Sequence, residues 1–307
     1  MSFPVRGATG GQKMICRHVE TLRDLGFDAI VRRNVEVEDN FPHHAPVEIN
    51  TPFHPDDVVV LPTDARNIVP QAAALKNRVI MFCQGHLEFA ATASLDAVRE
   101  SRIREFIAIS PAAAKSVQRA LPDATVSVVP AFADERVFRP LEKLHQIAHA
   151  PWKRPVETAA IWALFRNYHP RHAQTAWARI EKATEEQVAQ AMGRSSLFLS
   201  LSKMEGLGLT PLEAMASGCV VAGFKGIGGR DFATPENGFW VPDEDCEAAA
   251  DALAEACDVF LTGGAALKAR LEAGYETARH WSYARFCEAL EAFWSPKVSR
   301  RPASLTM

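Results

Sequence analysis

The residues richest in chemistry lie between 205 and 218: Glu205-Gly206-Leu207-Gly208-Leu209-Thr210-Pro211-Leu212-Glu213-Ala214-Met215-Ala216-Ser217-Gly218. Gly206 and Gly208 allow a backbone to approach a ligand closely, and the pattern from Pro211 predicts a helix that Gly218 stops. Amide N–H groups at a helix start have no partner within the helix and carry roughly half a positive charge. Such a turn suits an anion. Glu205 and Glu213 flank it with seven residues between, and carboxylates beside an anion site suit sugar hydroxyls rather than phosphate. A structural reading stands beside this one. Thr210-x-x-Glu213 is also a capping box, and Gly206-x-Gly208 is also a tight turn.

Other residues could complete an anion site. Trp152-Lys153-Arg154-Pro155 follows the apolar run Gln146-Ile147-Ala148 and brings two adjacent cations to a strand end. Lys153 and Arg154 either approach a phosphate or form a solvated basic turn. Arg230 is an alternative cation. Gly7-x-x-Gly10-Gly11 either cradles a phosphate or an acceptor, or is a flexible turn. Gln84-Gly85-His86 follows the run Arg78–Cys83, so His86 either faces a sugar and assists proton movement or is a hydrogen-bonded surface histidine.

No metal site is expected. His169-x-x-His172 encloses Pro170 and has no third ligand nearby, and His43-His44 shares that deficiency. The six cysteines (Cys16, Cys83, Cys219, Cys246, Cys257, Cys287) form no C-x-x-C pair. Free thiols in apolar surroundings point to a reducing, cytoplasmic compartment. There is no G-x-S-x-G elbow and no P-loop lysine pattern, and Pro211 stands where a dinucleotide fingerprint needs its third glycine.

These residues need a frame. Apolar runs at 57–61, 78–83, 105–109, 124–129, 196–200 and 219–222 predict buried strands of parallel sheets covered on both faces. Ile15, Val19, Leu22 and Leu25 share one helical face between Gly11 and Gly26. Ser110-Pro111 and Thr184-Glu185-Glu186-Gln187 are helix starts. Ile161, Trp162, Leu164, Phe165 and Tyr168 predict a buried helix face, and 246–294 reads as helical, with Ser282 capping its last element. A boundary near Pro140 gives two Rossmann-like α/β domains, 1–140 and 141–307. Ligands of such sheets bind beyond the carboxyl ends of the strands, so the cleft between the two is the expected site.

Composition narrows the classes. The 307 residues are 48% hydrophobic and 23% charged, with a net charge of -3. That excludes a disordered chain and leaves nucleic-acid binding without an electrostatic footprint. No apolar run approaches the roughly 18–20 residues of a membrane span, and no signal-peptide core follows Met1. Peripheral contact with a membrane remains compatible with this sequence.

The segment 205–218 resembles the signature of the retaining GT-B glycosyltransferases that use nucleotide-sugar donors, E-G-x-G-x-x-x-x-E-A-M-A-x-G. The resemblance extends through Cys219–Phe224, Gly226-Ile227-Gly228-Gly229-Arg230 and Glu236–Pro242, and more weakly to Gly10-Gly11, Ile107–Ser110 and Val128–Phe138. It implies two domains whose parallel sheets face one another across a cleft. It also implies transfer of a sugar from a nucleotide diphosphate sugar to a saccharide or other hydroxyl acceptor, with retention and without a metal. Glu213 would hold the ribose hydroxyls and Glu205 a hydroxyl of the donor sugar. The backbone around Gly206, Leu207, Gly208, Leu209 and Thr210 would meet the diphosphate. Lys153 and Arg154 depart from the family, whose arginine and lysine stand further apart. Two rival readings are a non-catalytic nucleotide-sugar-binding module and an enzyme, such as an epimerase, that acts on nucleotide sugars without an acceptor.

Overall fold

A computed structural model of the chain describes residues 10–300 apart from 37–38, 40, 64–68, 86, 88 and 90–93. It divides into two compact units, Met1–Ala131 with Phe286–Met307, and Phe132–Arg285.

The first unit contains α1 (Gly10–Asp24), β1 (Val31–Arg33), β2 (Val47–Ile49), β3 (Val58–Pro62), α2 (Val69–Ala73), β4 (Arg78–Cys83), α3 (Ser94–Glu100), β5 (Glu105–Ala108), α4 (Pro111–Ala120) and β6 (Thr125–Val128). Strands β3 to β6 lie side by side in chain order and are all parallel, while β1 and β2 pair in a sheet of their own. Ile80, Met81, Phe106, Ile107 and Ala108 are fully buried, as near-continuous apolar strands covered on both faces require. Helix α4 starts where Ser110 and Pro111 dictate: the Ala113 amide donates to Ser110 Oγ at 3.2 Å.

The second unit contains β7 (Leu144–His149), α5 (Pro155–Tyr168), β8 (Ala176–Arg179), α6 (Glu185–Arg194), β9 (Ser195–Leu201), α7 (Leu209–Ala216), β10 (Val220–Phe224), β11 (Phe239–Val241), α8 (Cys246–Thr262) and α9 (Gly264–His280). The capping box expected at Thr184 opens α6. The strands are parallel in the order β11-β10-β9-β7-β8. The core between sheet and helices includes Ile147, Phe165, Leu197, Leu199, Ala222, Phe224 and Leu253. Because β7 lies between β8 and β9, the chain winds outward in one direction and then in the other. The switch falls between the carboxyl ends of β7 and β9, where open α/β sheets bind ligands.

Helix α10 (Tyr283–Trp294) runs across the second unit boundary. At its start, the amides of Tyr283 and Ala284 donate to the Glu135 carboxylate at 2.7 and 3.3 Å. In its later part, Phe286 and Trp294 pack edge-on to His18 of α1, and Trp294 Nε1–H donates to His18 Nε2 at 3.2 Å. The sequence places one boundary near Pro140. The described units instead meet at 131/132 and again at 285/286, because the apolar face of α10 is buried by the first unit.

Two local expectations are corrected. In α5, Ile161 and Phe165 are fully buried, but Trp162 and Tyr168 are 42% and 56% exposed. Trp162 is one residue further round the helix than Ile161, and Tyr168 is its last residue. Strands β1, β2, β8 and β11 were not expected; they are only three or four residues long and carry no fully apolar run apart from Phe239-Trp240-Val241.

Candidate active site

The site is built where β9 ends. All seven residues of β9 are buried, and the chain then turns through 202–208 into α7. Gly208 supplies the turn with φ +82°, a left-handed conformation that favours glycine. Helix α7 starts at Leu209, two residues ahead of Pro211, with no side-chain cap and no acidic residue in its first turn. Thr210 is therefore inside the helix, and the capping-box reading of Thr210-x-x-Glu213 does not describe its start. The other end follows expectation. Gly218 has φ +73°, its amide donates to Met215 O at 3.0 Å, and the Cys219 amide donates to Ala214 O at 2.9 Å, which closes a Schellman motif.

A second glycine turn supports the first. The Ile227 amide donates to Lys203 O at 2.8 Å. A Cβ on Gly228 would lie 2.2 Å from the Leu207 carbonyl carbon and oxygen, and one on Gly226 would lie 2.8 Å from Lys203 O. Gly226 and Gly228 thus lie directly on the backbone of the turn that precedes α7, which only their unsubstituted Cα atoms permit.

A small cavity opens at the switch point within the second unit. Ala150, Trp152 and Lys153 line it from the end of β7, Leu201 and Ser202 from the end of β9, and Thr210 and Pro211 from the start of α7. Lys153 ion-pairs through Nζ with Glu205 Oε1, and the Lys203 amide donates to Glu205 Oε2 at 2.6 Å. Lys153 Nζ also lies 4.8 Å from the centroid of Trp152, whose side chain is 64% exposed.

The neighbouring cation behaves differently. Arg154 is 2% exposed and donates to Ser202 O at 3.2 Å, Glu157 Oε1 at 3.3 Å and Asp243 Oδ1 at 3.2 Å, with its guanidinium over the Phe224 ring. Adjacency in sequence thus puts Lys153 on the cavity and Arg154 in the wall that carries Ser202. Glu213 is buried one turn into α7, Leu207 is buried, and Arg230 is exposed. Gly10 and Gly11 open α1 in the first unit. Gly7 and His86 lie outside the described residues. Sequence reasoning missed Ser202 and Asp243. A serine directly after a buried strand was the available signal for the first; for the second there was none, because its partner is 89 residues away.

Electrostatics at the histidines and cysteines removes competing sites. His169 meets Asp251 at 2.8 Å and His172 meets Asp258 at 3.0 Å, so each is satisfied by a carboxylate. Cys16, Asp39 and His43 do cluster in the first unit, which the sequence spacing did not reveal. Arg33 already donates to both oxygens of Asp39 at 2.9 and 2.8 Å, and burial together with Asp39 pushes the Cys16 thiol up to about 11. A guanidinium fills the position a metal cation would need, and the thiol is held in its protonated form.

The fold and this turn have relatives. A family model described as "Glycosyl transferases group 1" matches residues 179–259, which contain both Glu205 and Glu213. An alpha-1,6-glucosyltransferase of Actinobacillus pleuropneumoniae serotype 7 is 27% identical over 277 residues, 85% of this chain and 83% of that protein. The chain is a glycosyltransferase, and its residues 179–259 are similar to the group 1 family. This glycosyltransferase also shares its GT-B fold with solved structures. Sucrose-phosphate synthase from Thermosynechococcus elongatus matches with a TM-score of 0.70 at 14% identity, over 94% of this chain and 93% of that one. HepE from Anabaena in complex with UDP matches with a TM-score of 0.70 at 14% identity, over 94% and 97% of the two chains. Among the described residues of the glycosyltransferase, no helix is long and apolar enough to cross a membrane.

Proposed function

We propose that this glycosyltransferase moves a hexose from a nucleoside diphosphate sugar to an acceptor hydroxyl, with retention of anomeric configuration and without a metal. The observation that carries the reading is the uncapped start of α7 facing the same cavity as Lys153, at the switch point of the second sheet. An amide-rich helix start and an ammonium group together supply the charge stabilisation that a departing diphosphate needs. UDP-glucose is the first donor to test, since a HepE structure contains UDP-glucose and the curated relative is named a glucosyltransferase.

In this mechanism the amides of Leu209 and Thr210 and the ammonium of Lys153 bind the diphosphate. Glu205 accepts a hydrogen bond from a hydroxyl of the donor sugar, and Glu213 accepts from the ribose. Arg154 supports the site from behind by fixing Ser202 O. The anomeric C–O bond to the diphosphate breaks as negative charge gathers on the leaving oxygen. The acceptor hydroxyl enters from that same face, its oxygen bonds to the anomeric carbon, and its proton passes to the leaving oxygen. No protein nucleophile is used.

The test is transfer from UDP-glucose to a panel of saccharide acceptors, run with and without EDTA, with the product anomer assigned by NMR. The expected result is an α-linked product at an unchanged rate in EDTA. Glu205→Ala and Glu213→Ala should each lower kcat/KM by about 10²–10³ while the protein stays folded. Near-normal transfer by both variants would refute the site, and an inverted product or a loss of rate in EDTA would refute the corresponding part of the mechanism.

A further inference from the structure

The Lys153–Glu205 ion pair has a consequence for ligand traffic. In the free protein the cation assigned to the diphosphate is ion-paired with the carboxylate assigned to the sugar. Neither group is idle. Glu205 uses Oε1 for Lys153 and Oε2 for the Lys203 amide, and Lys153 rests near the Trp152 ring. The pair is about one-fifth to one-quarter exposed, with side chains at 24% and 19%, so a ligand can reach it without unfolding the wall. Arg154 cannot substitute, because its three hydrogen bonds and its position over Phe224 hold it in that wall.

We infer that Lys153 exchanges partners during turnover, and that Glu205 competes with diphosphate for it so as to discriminate nucleotide sugar from spent nucleotide. The inference rests on the proposed function above. When a nucleotide sugar binds, Lys153 passes to the diphosphate and the released Glu205 carboxylate is taken up by a sugar hydroxyl. Both groups keep a partner. When a bare nucleoside diphosphate binds, Lys153 still has to leave Glu205, but no sugar hydroxyl arrives, and a carboxylate held by the Lys203 amide alone is left close to an anion. The donor is therefore retained and the product is expelled once the sugar has gone. The ion pair acts as a return spring for product release.

The inference makes a prediction opposite in sign to ordinary loss of a site residue. Glu205→Gln keeps an oxygen for the Lys203 amide and abolishes the hold on Lys153. It should bind UDP about two- to fivefold more tightly than wild type by calorimetry, the range expected for releasing a partly exposed ion pair. UDP should also become a correspondingly stronger product inhibitor of the residual transfer activity, even as turnover falls. The discriminating control is Lys153→Met. Because the gain comes from freeing Lys153, adding Glu205→Gln to Lys153→Met should leave UDP affinity at the Lys153→Met value. An equal gain in both backgrounds would mean simple charge repulsion and would overturn the exchange, as would an unchanged or weakened UDP affinity in Glu205→Gln. A wild-type protein that binds neither UDP nor UDP-glucose would overturn the donor site itself. UDP binding with no gain in Glu205→Gln would overturn only the exchange.

Discussion

Single residues carry both charge and stability here, and their neighbours decide which. Lys153 and Arg154 are adjacent cations of equal formal charge, yet one lines the cavity and the other is 2% exposed beneath it. The residue types in the turn before α7 were legible from the sequence because glycine and carboxylate spacing is local. The partners were not, because the Lys153–Glu205 and Arg154–Asp243 pairs join positions 52 and 89 residues apart. Buried histidines make a prediction at this scale. Burial lowers the His18 pKa to about 4, and burial with the nearby Arg179 lowers that of His149 to about 4. Both rings are neutral in the fold but would take up protons near 6.5 once unfolded. Their contribution to stability is therefore complete above that value and is lost as the pH falls toward 4. The loss from His18 alone is about 3 kcal/mol. Urea titrations at pH 7 and pH 5 should show the midpoint falling, and His18→Gln should flatten that dependence; a midpoint that does not move with pH would contradict the neutral assignment.

At the scale of elements, the architecture of the site depends on two glycine turns stacked back to back. Strands such as β3, β4 and β5 were legible because burial on both faces leaves a continuous apolar run. Strands β1, β2 and β8 were not, since charged side chains and the exposed Val47 and Ile49 hide three- and four-residue strands whose order comes from pairing with neighbours. Proline favours the first helical position and so predicts a start of α7 at Pro211, whereas the left-handed Gly208 lets the helix begin two residues earlier. Gly228→Ala should shift the 202–208 turn, because its Cβ would meet Leu207 backbone at 2.2 Å. We expect at least a tenfold loss of UDP affinity with a stability cost of about 1–3 kcal/mol, measured by calorimetry and thermal melts. Gly263→Ala has open space around its Cβ and a positive φ, so it should show a strain cost of about 1 kcal/mol and no change in UDP affinity. Equal effects on UDP binding from both substitutions would deny the stacked turns any special part in the site.

At the scale of the whole molecule, the α/β class and the presence of two units follow from alternating strands and helices, but the assignment of α10 does not. Amphipathic periodicity shows that a helix has a face to bury without saying which unit will bury it. The answer lies in His18, whose ring meets both Phe286 and Trp294. Trp294→Ala removes a side chain that is 5% exposed together with its hydrogen bond to His18, and should destabilise the first unit by about 3–5 kcal/mol. Limited proteolysis should then cut within 10–131 well before 132–285, and uniform cleavage of the two stretches would contradict the packing of α10 on the first unit. The same feature sets the order of events during synthesis. Stretch 132–285 is continuous and can close on itself as it leaves the ribosome, whereas the part translated earlier must wait for Phe286 and Trp294 to emerge. The half made first is the half finished last, and a nascent chain stalled before Phe286 would carry a completed second unit joined to an unsealed first one.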